Sequence, residues 1–258
     1  MSSTTGDAIA EHGWTAVPVD AEAIFKGKPY LHKPTALSVE DIHFPSDDPI
    51  VAKVQQYAKE QLPPQTYNHS MRVFYFATAI LTQQFPSHAR TLSRSTLALA
   101  CLLHDIGSTP TNLHATLLSF EFSGAIIALD LLRSTPGHYG AGGGQGPAAP
   151  QPQAEAVCEA IIRHQDLGKE GTVTLLGQLL QLATVYDNVG ARPYLVHGAT
   201  RADVNGAFPR EGWAACFAGT IREEVRVKPW AHSTHLGGSS GEEFVNAVEG
   251  NLLMAEYE

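Results

Sequence analysis

The chain has 258 residues, 43% of them hydrophobic, enough for one large domain with a substantial core. A formal charge of -9 works against nucleic acid or an anionic membrane surface as partner, since both attract basic patches, and leaves a small neutral substrate as the expectation. No run approaches the roughly 18 apolar residues of a membrane span, and Cys101, Cys158 and Cys216 are too few and scattered for a disulfide framework. With a polar, acidic start where a secretory signal needs basic and apolar segments, the expected location is cytoplasmic, with the nucleus as a second compartment.

Residues 1–48 carry scattered prolines and little periodicity, and read as an irregular arm lying over a helical domain of residues 49–258. From Asp48, DPIVAKVQQYAKEQL has helical spacing and stops at Pro63 and Pro64. A helix over about 65–85 puts His69, Val73, Phe76 and Ile80 at i, i+4, i+7 and i+11, one face. In SRSTLALACLLHDIG, Leu97, Ala100, Cys101 and His104 share a side, and Gly107 reads as the punctuator that ends the helix. LLSFEFSGAIIALDLLR turns Phe120, Gly124, Ile127 and Leu131 inward, with Glu121 beside them. Residues 135–153, TPGHYGAGGGQGPAAPQPQ, are too rich in Gly and Pro to bury much apolar surface and read as a flexible loop. AEAVCEAIIRHQDL then places Val157, Ile161 and His164 on one face, and TLLGQLLQLATVYDNVG aligns Leu176, Leu180, Ala183 and Asp187. Beyond Gly190 the helical signal weakens through FPREGWAACFAGTIREEV and the turn-like KPWAHSTHLGGSSG, then recovers in a short amphipathic helix from about 242 to 257. The fold class is all-α.

An adjacent His-Asp pair is unspecific by itself. Here, however, separate apolar stripes end in metal-capable side chains: His69, then His104 with Asp105, then Asp187. A buried histidine is commonly satisfied by backbone. A buried carboxylate is harder to explain away, because without a cation it carries a heavy desolvation cost. No Lys or Arg falls on the inner stripes, Arg72 and Arg163 being read as lying off them, and one divalent ion would neutralise Asp105 and Asp187 together. Two imidazoles and two carboxylates suit Zn²⁺ first, with Fe²⁺ or Mn²⁺ behind it, and not the all-oxygen shells of Ca²⁺ or Mg²⁺. One ion per chain with an open position for water is expected, able to lower the pKa of that water towards about 7.

The order His69, His104-Asp105, Asp187 resembles the HD-domain superfamily of metal-dependent, mostly helical enzymes, and the resemblance makes these four residues the metal ligands. Many members are phosphohydrolases, often with the run HDIGK; here His104-Asp105-Ile106-Gly107 is followed by Ser108, so that lysine is missing. NHSMRVF, CLLHDIG, SFEF, EAIIRHQD, LLQLATVYDNVG, FPR, W-x-x-CFA and KPWAHSTHLG, spread over about residues 48–240, resemble the fungal cyanamide hydratases. That resemblance implies an HD-domain helical bundle with an irregular N-terminal arm and C-terminal segment. It also implies a zinc-dependent hydro-lyase, hydrating cyanamide to urea by a metal-bound hydroxide. So small, linear and neutral a substrate needs a tight pocket with a few placed polar groups.

His164 reads either as the proton donor to the nitrile nitrogen or as an outer histidine that orients ligands, with Gln165 or Asp166 fixing its tautomer. Asn112, Thr116 and Glu121 either hydrogen-bond the amino end of cyanamide or cap and pack helices. Asn112 and Thr116 are the substrate-binding candidates, and Glu121 joins His164 and Gln165 as catalytic candidates. Trp230, His232 and His235 are a lid or plain packing. The alternative functions are an HD-type phosphohydrolase acting on a nucleotide or phosphoester, which needs cations at the metal, and a metal-stabilised scaffold without catalysis. The acidic surface and C-terminal helix point to a homo-oligomer.

Overall fold

Helices form where the sequence carries apolar stripes, and the computed structural model, which describes residues 5–134, 146–237 and 241–258, holds twelve of them and one two-stranded sheet. The arm is more regular than its prolines imply. It contains α1 (Thr5–Glu11), β1 (Ala16–Pro18) and α2 (Ala21–Phe25), and only the stretch after α2 is irregular, up to Asp48. β1 pairs antiparallel with β2 (Thr172–Thr174), Val17 opposite Val173, which pins the arm to the domain. Strands of three residues are too short for alternation to show in a sequence. Phe25, at the end of α2, is fully buried under the Arg192 guanidinium, 4.5 Å from its ring centroid.

α3 (Pro49–Gln61) starts where the Asp48 carboxylate accepts from the Ile50 amide and Pro49 occupies a first-turn position that needs no donor. α4 (Pro64–Gln84) is buried around most of its circumference and forms the centre of the bundle. Against it pack α5 (Arg94–Leu103), capped by the Ser93 hydroxyl, and α9 (Leu175–Val189), capped by the Thr174 hydroxyl. α7 (Phe120–Arg133) and α8 (Gln151–Ile162) pair with each other and close the bundle over α5.

Several elements differ from expectation. α6 (Pro110–Ala115) follows the HDIG turn, too short to display a stripe. Past Gly190, α10 (Gly198–Ala207) and the 15-residue α11 (Trp213–Val227) stand where the periodicity fades. Small residues interrupt the α11 stripe, yet Trp213, Phe217, Ala218 and Ile221 build a second apolar cluster with Phe120 and with Val245 and Val248 of α12 (Glu242–Glu249). α12 is thus shorter than predicted, and a separate 3-10 turn covers Ala255–Tyr257. Of the predicted loop, residues 135–145 lie outside the described residues; the rest is irregular only to Pro150, because α8 begins at Gln151 with Pro152 in its first turn. No helix among the described residues is long and apolar enough to cross a membrane.

Gly107 is not the helix terminator it resembles in sequence, since α5 has already ended at Leu103. A Cβ at Gly107 would stand 2.0 Å from the Phe120 carbonyl oxygen. Only glycine lets the HDIG turn lie directly on the start of α7, where Gly124 makes the reciprocal approach.

Candidate metal centre

α4 carries His69, and the C-terminal end of α5 carries His104 and Asp105; all three side chains are buried. His69 Nε2 lies 3.2 Å from His104 Nε2, and Asp105 Oδ2 lies 3.2 Å from His104 Nε2 and 3.8 Å from His69 Nε2. Hydrogen bonds on the far sides of the rings set the tautomers. His104 Nδ1 is 2.9 Å from the Cys101 carbonyl oxygen, which can only accept, so Nδ1 carries the proton. His69 Nδ1 donates in the same way to Asp187 Oδ2 at 2.6 Å. Both Nε2 atoms therefore point towards Asp105, whose two buried oxygens have no hydrogen-bond donor among the described residues while His104 is neutral. Orphaned lone pairs at this depth are costly unless a cation is shared among them, and two imidazoles with one carboxylate are a donor set that suits such an ion.

The electrostatics agree. Burial alone would lower the His104 pKa, but the adjacent Asp105 carboxylate outweighs it and raises the imidazole above its ordinary value. Asp105 is correspondingly held below the usual carboxylate range, its burial overcome mainly by His104. His69, dominated by burial, drops to about 4. Protons and a metal ion thus compete for one spot, the His104 Nε2 face.

Asp187 sits behind His69 and not beside Asp105. Its Oδ1 accepts from Arg72 Nε at 3.0 Å and Arg210 Nη1 at 2.9 Å, and its Oδ2 accepts from Arg72 Nη2 at 2.9 Å as well as from His69. The expectation that the inner face of α4 carries no cation is corrected here: Arg72 and Arg210 are both fully buried. Three residues past His69, Arg72 lies close enough to the inner face for its long side chain to curl inward. Burial would raise the Asp187 carboxyl, but the two guanidinium groups hold it far below the usual range. Arg72 also donates to the Phe208 and Pro209 carbonyls at 3.1 and 3.2 Å, and Arg210 to Glu258 at 2.6 Å. Arginine thus satisfies Asp187, while Asp105 has no such partner.

His164 lies just past α8, its Nδ1 donating to the Ile161 carbonyl at 2.7 Å, so its Nε2 is a bare acceptor. Burial lowers its pKa, and His104 lowers it further. Its ring centre is 5.3 Å from that of His104. Together with Asp105, Gln165, Thr184 and Asn188, these two histidines give a polar lining to a partly open cavity of about 20 Å³. That is room for about one water molecule.

Other predicted residues lie elsewhere. Asn112 is spent bracing the HDIG turn, its Nδ2 donating to the Ile106 carbonyl at 2.7 Å, and Thr116 accepts from the Leu118 amide at 3.1 Å; neither lines the cavity. Glu121 is fully buried and does not line the cavity, its Oε1 accepting from His232 Nδ1 at 2.6 Å, although its charge is near enough to act on His164. Asp166 does not fix the His164 tautomer, which the Ile161 carbonyl already sets, but pairs with Arg163 at 2.7 Å. Trp230 is 60% exposed and donates to the Leu117 carbonyl, and His232 and His235 line a separate outer hollow, so none of the three roofs the cavity. Two supports, Arg210 and Trp213, are not evident from sequence spacing. Trp213 stacks on His69 with centroids 4.2 Å apart and donates to Asn188 at 2.8 Å. The signal for both is in the FPR and W-x-x-CFA runs, which look like plain loop and packing until α11 is seen.

Comparison with known proteins adds to this geometry. The HD domain profile matches residues 66–189, a span that contains His69, His104, Asp105, His164 and Asp187. Two proteins of Saccharomyces cerevisiae, cyanamide hydratase DDI2 and cyanamide hydratase DDI3, are each 39% identical to this chain over 229 residues, covering 89% of it and 93% of each relative.

Proposed function

The chain belongs to the cyanamide hydratase family, and from that premise we propose that it adds water to cyanamide to give urea at the cluster of His69, His104 and Asp105. The observation that carries this for the chain's own geometry is the small, partly open cavity beside the cluster, sized for about one water molecule, so that only a substrate of very few heavy atoms, and not a nucleotide, comes near its scale.

We propose Zn²⁺ as the ion, held by His69 Nε2, His104 Nε2 and Asp105, since two imidazoles favour it over Fe²⁺ or Mn²⁺ less strongly than over Ca²⁺ or Mg²⁺. When bound, it supplies Lewis acidity and lowers the pKa of water beside it towards about 7. Asp187, a ligand by resemblance, has a different role here. By accepting from His69 Nδ1 it fixes the ring with Nε2 towards the ion, an arrangement common behind metal-binding imidazoles.

His164 moves the proton. Its lowered pKa keeps it neutral, and its bare Nε2 takes a proton from water as the oxygen–carbon bond forms, then returns it to the nitrile nitrogen. The resulting isourea tautomerises to urea. Gln165, Thr184 and Asn188 supply the polar contacts that orient the substrate.

The phosphohydrolase reading needs cations at the cavity. Among the described residues no Lys or Arg lines it, and Arg72, the nearest in sequence to His69, is committed to Asp187 and two carbonyls. Incubating the metal-analysed protein with cyanamide, a nucleotide and a phosphodiester should give urea from the first and no phosphate from the others. Phosphate release without urea would overturn the assignment.

A further inference from the structure

The inner cavity has polar walls that are all buried: His104, Asp105, His164, Gln165, Thr184 and Asn188. Its lining residues that are not buried are Leu167, Val185, Leu236 and Phe244. The same four also line an outer groove of about 610 Å³, bounded by the arm near α2, the segment after His164, α9 and α12. These four hydrocarbon side chains are thus a wall common to the groove and the cavity that holds the histidines. Leu167, Leu236 and Phe244 come from two connecting segments and the first turn of α12, where side chains can shift more easily than in mid-helix.

Resting on the hydratase reading above, we propose that the outer groove is the mouth of the active site and that Leu167, Leu236 and Phe244 form a doorway that determines specificity. It admits cyanamide and bars cyanamides whose amino nitrogen carries alkyl groups. A door without a polar atom costs a small neutral molecule little hydration, and would cost a phosphate ester a great deal. Behind it, a cavity of about 20 Å³ must already widen to take cyanamide, and added methyl groups would ask for far more room. Shortening a door side chain joins the two spaces, so that an alkyl group can rest in the groove while the nitrile reaches His164. The chemistry is unchanged: water oxygen bonds to the nitrile carbon, a carbon–nitrogen π bond is lost, both water protons end on the product, and dimethylcyanamide gives dimethylurea with nothing oxidised.

The test compares kcat/KM for cyanamide and dimethylcyanamide in the wild type, in Leu167→Ala, Leu236→Ala and Phe244→Ala, and in Val189→Ala, which lines the groove alone. A methylene-scale pocket change shifts discrimination by about 10–200-fold, so the ratio of dimethylcyanamide to cyanamide should rise about tenfold or more in at least one door variant and stay unchanged in Val189→Ala. Leu167 is 44% exposed, so its truncation leaves a folded protein even if Phe244→Ala does not. Equal wild-type rates on both substrates, or an unchanged ratio in all folded door variants, would overturn the doorway. A wild type that makes no urea from cyanamide would instead overturn the reading beneath it.

Discussion

His69 gives one nitrogen to Asp187 and turns the other towards His104 and Asp105, whereas His164 borders the cavity from outside that cluster. Substitution should separate the two roles. His164→Ala is expected to bind metal normally while kcat falls by about 10²–10⁴; His69→Ala should lose metal and turnover together, as metal analysis alongside a urea assay would reveal. Near-normal rates in His164→Ala would remove its proton-transfer role. Because the Asp105 carboxylate raises the His104 pKa, acid should displace the ion: affinity is full above that pKa and weakens as pH falls through it, releasing metal as the Nε2 face takes up a proton. A metal-binding isotherm independent of pH across this range would contradict the competition. Removing one guanidinium from the pair around Asp187, as in Arg210→Met, should destabilise by about 3–5 kcal/mol in denaturant unfolding, because a buried carboxylate loses half its compensation. At this scale His69, His104 and Asp105 were legible because each ends an apolar stripe. Arg72 was not, since periodicity counts an arginine as polar wherever its flexible end goes.

Among the elements, the HDIG turn depends on its contact with α7. Gly107→Ala should cost about 1–3 kcal/mol or more, because the added methyl meets backbone that cannot swing aside. An unchanged unfolding midpoint would show that the turn has room. The 3-10 turn His232–His235 is fastened to α7 through Glu121, whose hydrogen bond raises the His232 pKa against the opposing effect of burial. A raised histidine stabilises the fold fully below its unfolded pKa of about 6.5, and that stability is lost as pH rises through the folded value. The Tm gap between wild type and His232→Gln should therefore narrow on going from about pH 6 to about pH 9. A constant gap would mean the bond contributes no proton linkage. The long helices α3, α4, α7, α8 and α9 could be read from spacing and caps. α6 and the two strands were too short for periodicity, and α11 hid because Gly, Ala and Thr break its stripe.

Across the whole molecule, the site lies at the seam of two apolar clusters, with His69 from the main bundle stacked on Trp213 from the smaller one. Segments that look peripheral in sequence converge there: the arm borders the outer groove through Val19 and Ala21, and Glu258 reaches Arg210 and so Asp187. The fold class and the helices that bring His69, His104 and Asp105 together could be inferred from one chain of residues. The positions of Asn112, Thr116 and Glu121 could not, because sequence neighbours of a site are turned towards or away from it by elements whose existence the spacing does not reveal. We propose that His69, His104 and Asp105 hold one ion that is needed to hydrate cyanamide. The most direct measurement is a titration of Zn²⁺ into chelated protein with urea formation as the readout. Activity should rise from baseline and saturate at one ion per chain, and stay at baseline in Asp105→Asn; full urea production by the chelated wild type would contradict the account.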